Sequence, residues 1–202
     1  ISLHYYLLAS KDGITIGKRY FKHENNKEDY PFSPSGHNLY DNNSKLYYCR
    51  DFDNIVYQIH EDSVVPRFRI NLPNPLPASM IEERPNEMSL LRSGYSLGIT
   101  DIYEYGGLLF FRFVKDGYIW SCLYNVEESK QVYCAKRIKF LDSSLIDTID
   151  GIYKDCFYSI LTPEYLDYAF SENPLEDYPD LFKTYDVEGD NPVIAFYRAV
   201  VR

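Results

Sequence analysis

Four aspartates, Asp142, Asp147, Asp150 and Asp155, fall within one short stretch of the chain, and clustered carboxylates are what Ca2+ takes as ligands. Their spacing lacks the alternating oxygen ligands and the closing Glu of an EF-hand loop, so they read as solvated loop acids. A second acidic set, Asp51 and Asp53 within Arg50-Asp51-Phe52-Asp53-Asn54, could offer carboxylates to a ligand at a loop rim. Asp and Asn also fold onto their own backbone in hairpin turns, and the turn is the reading favoured here. His4, His23, His37 and His60 are scattered and accompany neither a His-Glu-x-x-His zinc motif nor a nucleophile elbow. They are expected to be surface or partly buried structural histidines. No catalytic, cofactor-binding or metal-binding residue is therefore assigned, and the binding residues stay open.

The cysteines Cys49, Cys122, Cys134 and Cys156 form no Cys-x-x-Cys pair, and each lies in an apolar run, which suits small buried hydrophobes. A turn centred on Glu128 would set Cys122 directly opposite Cys134, yet cross-strand pairs seldom meet disulfide geometry, so no bridge is expected. Arg67 with Arg69, and Lys136-Arg137 with Lys139, alternate with apolar residues, as solvated or edge-protecting strand faces do. Asn42-Asn43-Ser44 fits the N-glycan acceptor pattern, a three-residue match that chance supplies often.

The elements that must carry these residues repeat. Leu46-Tyr47-Tyr48-Cys49-Arg50, Ile55-Val56-Tyr57-Gln58-Ile59 and Arg67-Phe68-Arg69-Ile70-Asn71 are answered by Leu108-Leu109-Phe110-Phe111-Arg112, Tyr118-Ile119-Trp120-Ser121-Cys122 and Lys136-Arg137-Ile138-Lys139-Phe140. Each set predicts a meander of strands, and units of this size bury their faces only by stacking on neighbours, as propeller blades do. In the first set residues 46–49 are apolar on both faces, 55–60 are mixed and 67–72 alternate. That gradient is expected where inner strands are sandwiched and the outermost is half wet.

Lys11-Asp12-Gly13 and Lys115-Asp116-Gly117 supply tight hairpin turns. Pro73, Pro75, Pro77 and Pro85 interrupt the pattern and leave short helices over 78–83 and 86–92, the second capped by Asn86. Tyr133 and Ala135 are out of phase with Ile138 and Phe140, which predicts a β-bulge. Thr162 and Pro163 start a helix as N-cap and first helical residue; 173–185 could form another, and 191–201 a last strand. The fold class is all-β: a partial β-propeller of about three to four antiparallel meander blades, with a few short helices in the connections. A single partial propeller domain is expected over 1–202, with units near 1–22, 37–72, 95–140 and 146–202.

Residues 46–59, the run Val65-Pro66-Arg67-Phe68-Arg69-Ile70-Asn71 and the late run Asp190-Asn191-Pro192-Val193-Ile194-Ala195-Phe196-Tyr197 resemble the six-bladed β-propeller proteins of unknown function abundant in Bacteroides-type bacteria. The likeness spans most of the chain and corresponds to their C-terminal half. It implies an exported protein, periplasmic or at the cell surface and often lipid-anchored, and it carries over no catalytic residue. In that setting Asp62-Ser63-Val64 and Asp147-Thr148-Ile149 resemble the short O-glycosylation signal of the same bacteria. The chain opens at Ile1 on a strand-like run and is expected to be a piece of a longer protein. A half ring would leave apolar faces bare on its first and last blades, so the missing N-terminal blades or a second copy are the expected partners.

Composition agrees with this reading. The chain's 202 residues, 45% hydrophobic and 17% aromatic, can build an ample core, and 21 Tyr with 12 Phe favour strands. With 30 acidic against 21 basic residues the net charge is -9, which repels phosphate backbones and argues against general nucleic-acid binding. No stretch approaches the ~20 apolar residues of a membrane helix. The function expected is an exported, non-enzymatic propeller that binds a protein or glycan partner or serves as a scaffold, without a cofactor. The alternative is a metal-dependent propeller hydrolase or lyase with acids and His in its central channel, which rests on fold analogy.

Overall fold

The computed structural model describes residues 5–10, 17–22, 34, 37–83, 85–136, 149–172, 180–186, 188–189 and 191–198. Among them the strands form four antiparallel sheets. The first pairs β1 (Tyr5–Ala9) with β2 (Lys18–Lys22). The second is a meander of β3 (Leu39–Asn42), β4 (Lys45–Cys49), β5 (Ile55–Ile59) and β6 (Val64–Arg69). The third repeats it with β7 (Ser96–Tyr105), β8 (Leu108–Lys115), β9 (Tyr118–Asn125) and β10 (Lys130–Ala135). The fourth joins β11 (Gly151–Tyr153), β12 (Cys156–Leu161) and β13 (Val193–Tyr197).

Turn chemistry explains why the meanders close tightly. Asp116 and Gly117 both hold positive φ between the paired residues Lys115 and Tyr118, and Gly106 with Gly107 do the same between Tyr105 and Leu108. Two consecutive positive φ values match the twist of the flanking strands. The Lys11-Asp12-Gly13 turn lies outside the described residues.

Burial follows the predicted gradient. Tyr47, Tyr48 and Cys49 on β4 are buried, whereas most of β6 is exposed; in the third sheet residues 96–103 are buried and the first half of β10 is exposed. The first strands of the three larger sheets, β3, β7 and β11, all touch one another. The sheets therefore fan out from a shared line, and the chain is an all-β partial propeller. One core runs through these sheets, with Tyr47, Val56, Ile102, Phe110, Phe157 and Leu166 at its centre. The second and third sheets approach so closely at Gly98 that a Cβ there would lie 2.8 Å from Phe52 Cα, at a φ of +96°. Beside it, Ile99 N donates to Asp53 O at 3.1 Å.

Between the second and third sheets the chain forms α1 (Ala78–Glu82) and α2 (Glu87–Leu91). Asn86 caps α2, its side chain accepting from Ser89 N. Helix α3 (Pro163–Glu172) opens on Thr162, whose Oγ1 accepts from Tyr165 N at 3.3 Å. The helix expected over 173–185 is described as α4 (Asp180–Lys183), with 173–179 outside the described residues.

In the third sheet a bulge falls at Val132, between Gln131 and Tyr133; the parity break expected between Ala135 and Ile138 runs into residues outside those described. One expectation is corrected there. Cys122 and Cys134 form a disulfide. The register beyond the bulge sets them directly opposite, with Cα atoms 4.0 Å apart, at the close spacing that brings facing side chains together in an antiparallel ladder.

Candidate functional site

The line along which β3, β7 and β11 meet opens into a cleft of about 290 Å³. It is lined by His37, Asp41, Asn43, Tyr103, Asp150 and Tyr158, with Leu39, Tyr40, Gly151 and Ile152 between them. Strand alternation explains the composition: Leu39, Asp41 and Asn43 are exposed while Tyr40 and Asn42 point into the core. On the opposite wall Gly151 leaves room for the Tyr158 ring, which a Cβ would meet at 2.7 Å.

Hydrogen bonds fix this lining. The Tyr103 hydroxyl donates to Asp150 O at 3.0 Å. Burial, followed by the nearby carboxylates of Asp101 and Asp150, pushes the Tyr103 pKa up, so this hydroxyl stays neutral and remains a donor. Asp150 Oδ2 accepts from Ile160 N at 2.7 Å, and Asn43 Nδ2 donates to Lys154 O at 2.9 Å. The Tyr40 hydroxyl donates to Thr100 O, and its ring lies 4.8 Å from the His37 imidazole. The result is a set of fixed aromatic rings beside exposed carboxylate, amide and imidazole groups.

The cleft depends on the joint between the second and third sheets. Asn42 is 2% exposed. Its Nδ2 donates to Ile102 O at 3.2 Å and to Tyr40 O at 3.3 Å, while Oδ1 accepts from Glu104 N at 2.6 Å. The Glu104 side chain in turn accepts from the Tyr47 hydroxyl, Lys45 Nζ and Arg67 Nη2. Deeper in the third sheet, Arg112 Nε meets Asp101 Oδ2 at 2.7 Å, with both side chains largely buried.

The residues singled out from the sequence separate clearly. Arg50-Asp51-Phe52-Asp53-Asn54 is a turn: Asp53 Oδ1 accepts from Asn54 N and Ile55 N, and Oδ2 from Arg50 Nε. Of the four aspartates, Asp150 lines the cleft and Asp155 pairs with Arg198, whereas Asp142 and Asp147 lie outside the described residues. His37 lines the cleft, His60 is exposed at the end of β5, and His4 and His23 lie outside the described residues. Among the described residues no three His, Cys, Asp or Glu side chains converge as a metal set would.

Cys49 is buried and Cys156 partly so, both as thiols; burial pushes the Cys49 pKa up, with Asp53 and Asp101 adding to it. The glycan-acceptor reading of Asn42 is overturned, because its amide is sealed between two sheets. Ser63 is exposed in the β5–β6 turn; Asp147 and Thr148 lie outside the described residues. Arg67 is not merely a solvated edge residue, since it reaches across to Glu104. Arg69 is exposed, Lys136 sits 3.5 Å above the Tyr118 ring, and Arg137 and Lys139 lie outside the described residues. Nothing in the sequence marks Tyr40, Tyr103 and Tyr158 as site residues; alternation shows which residues face inward but not which rings meet.

No protein-family model matches the chain, and no curated protein does. Among solved structures, the crystal structure of a protein from Bacteroides fragilis NCTC 9343, named a "putative exported protein", matches with a TM-score of 0.71. The two are 17% identical, and the match covers 96% of this chain and 57% of that one. The likeness is one of fold, and this chain spans little more than half of that protein's length. Among the described residues no helix is long and apolar enough to cross a membrane.

Proposed function

We propose that this protein is an exported propeller-type binding module, related to the six-bladed propellers, that takes the end group of a neutral glycan in the axial cleft. The observation that carries this reading is the meeting of Tyr103, Tyr158, His37, Asp41 and Asn43 in one cleft. Sugars offer an apolar ring face and a rim of hydroxyls. Aromatic rings cover the former, and carboxylate, amide and imidazole groups pair with the latter. The volume is near the lower end of the ~300–1,000 Å³ typical of ligand pockets, which suits an end group better than a long chain. Export is supported by the Cys122–Cys134 disulfide, a bond that persists in oxidising compartments, and by the name of the fold neighbour.

Titration with a panel of neutral mono- and disaccharides, followed by saturation-transfer NMR and calorimetry, tests the proposal. At least one sugar should bind saturably with a Kd below about 1 mM, and Asp41→Ala should remove that binding without changing the melting temperature. A panel without saturable binding, or binding that Asp41→Ala and Tyr158→Ala both leave intact, would refute it.

A further inference from the structure

A second cleft, of about 510 Å³, opens between residues 70–73 and strands β8, β9 and β10 of the third sheet, and among the described residues it shares no lining residue with the axial cleft. Its floor is one face of the β8–β10 ladder. Register sets Phe113 beside Trp120, Phe111 beside Cys122 and Cys122 beside Cys134, so two rings, a third ring and a disulfide tile the same face. Phe113 and Trp120 lie nearly parallel, 10° apart in plane with centroids 6.2 Å apart. Ile70 and Leu72 close the opposite wall.

The charge at this cleft runs against that of the chain as a whole, whose net charge is -9. The charged residue in the lining is Lys115, whose Nζ stands 3.9 Å from a carboxylate oxygen of the neighbouring Asp116. Lys136 follows at the end of the same face, its Nζ 3.5 Å from the Tyr118 centroid and 5.8 Å from that of Trp120. A floor whose accessible ring is Trp120, backed by buried Phe111 and Phe113, an apolar wall and ammonium groups at the margin describe a complement to one kind of ligand. The volume lies within the ~300–1,000 Å³ range of small-molecule sites.

We propose that this inter-sheet cleft binds a small planar aromatic carboxylate, its ring system against the accessible part of Trp120, which Phe113 backs, and its carboxylate toward Lys115 and Lys136. Ring stacking supplies affinity, and the charge-assisted contact supplies selectivity over neutral analogues. The binding is non-covalent and independent of the axial cleft.

The chain contains one tryptophan, so Trp120 emission reports on this cleft alone. Calorimetry and emission titrations of the whole protein would use 2-naphthoate and, as the uncharged control, 2-naphthalenemethanol. Saturable binding of 2-naphthoate with a Kd below about 1 mM, roughly tenfold tighter than the alcohol, is expected. The Lys115→Met/Lys136→Met double variant should bring the two ligands to equal affinity. Gln131→Phe, placed at an exposed lining position, should block both, while Trp120→Phe should keep the calorimetric signal. Asp41→Ala should leave naphthoate binding unchanged, which separates this site from the glycan site. Absence of saturable binding, equal affinity of the two ligands for the parent protein, or binding that survives Gln131→Phe would each overturn the proposal.

Discussion

Replacing Asn42 with Ala should unfasten the joint between the second and third sheets, and the structure allows the cost to be worked out. The amide satisfies Ile102 O and Glu104 N, which belong to a strand 60 and 62 residues away. Truncation leaves a carbonyl and an N–H without partners, at about 1–3 kcal/mol for each buried group. Ile102 is fully buried, so its carbonyl carries the full penalty; Glu104 is partly exposed, so water relieves part of the second. The 3.3 Å bond to Tyr40 O is local to β3 and adds little.

The sum comes to about 3 kcal/mol, a large fraction of the roughly 5–15 kcal/mol that holds a domain. With a urea m-value of about 2–3 kcal/mol/M, the unfolding midpoint should fall by about 1 M. The neighbouring Asn43→Gly is the control, because Asn43 is exposed, its side chain bonds Lys154 O, and Gly keeps the positive φ of this turn position. It should cost less than about 1 kcal/mol. A midpoint for Asn42→Ala within ~0.2 M of the parent, or equal losses for the two variants, would refute the assignment of Asn42 as the fastening residue.

Other perturbations probe the same frame. Burial alone would raise the Glu104 pKa, but hydrogen bonds from Tyr47, Lys45 and Arg67 outweigh it and hold the group below its ordinary value. Its stabilisation is therefore complete above the unfolded carboxylate pKa of about 4.3 and is lost as pH falls through the lower folded value. The melting deficit of Glu104→Gln should shrink between about pH 7 and about pH 3, and an equal deficit at both would contradict this. Gly98→Ala combines a positive φ with a 2.8 Å approach to Phe52 and should cost about 3 kcal/mol or more by calorimetry; a parent-like melting temperature would count against the close approach. Reducing the Cys122–Cys134 bridge, with its sequence separation of 12, should lower stability by about 3 kcal/mol, and urea curves that coincide with and without reductant would contradict that. Tyr153, Ile160, Ile194 and Phe196 lie about half exposed on one face of the last sheet. This chain should therefore self-associate through that face, with Ile194→Ser/Phe196→Ser shifting light scattering toward monomer; a monodisperse parent monomer would reject the idea.

What the sequence made legible was whatever depends on near neighbours. Asp116-Gly117 announces its hairpin because only a few residue types accept consecutive positive φ, and Asn86 announces its helix because the cap bond spans three residues. The strand gradient from residues 46–49 to 67–72 was visible because burial on both faces leaves no room for polar alternation. Register came close for Cys122 and Cys134, since a turn near Glu128 sets them opposite. The separation of the two backbones, which decides whether sulfurs meet, depends on how the strands lie and is not written in any spacing.

Most of the candidate site was not legible, for a related physical reason. Asn42 looks like a glycan acceptor from its two neighbours, and only the arrival of Ile102 and Glu104 turns it into a buried clamp. Tyr40, Tyr103 and Tyr158 belong to a population of 21 tyrosines, all suited to strands. What distinguishes these three is that they come from β3, β7 and β12 and meet beside the line where the sheets converge. The candidate cleft in this fold thus lies at the joints between repeats. Each repeat is specified by local pattern, but the chemistry appears only where one repeat's first strand touches the next, and contacts of that range leave no local signature.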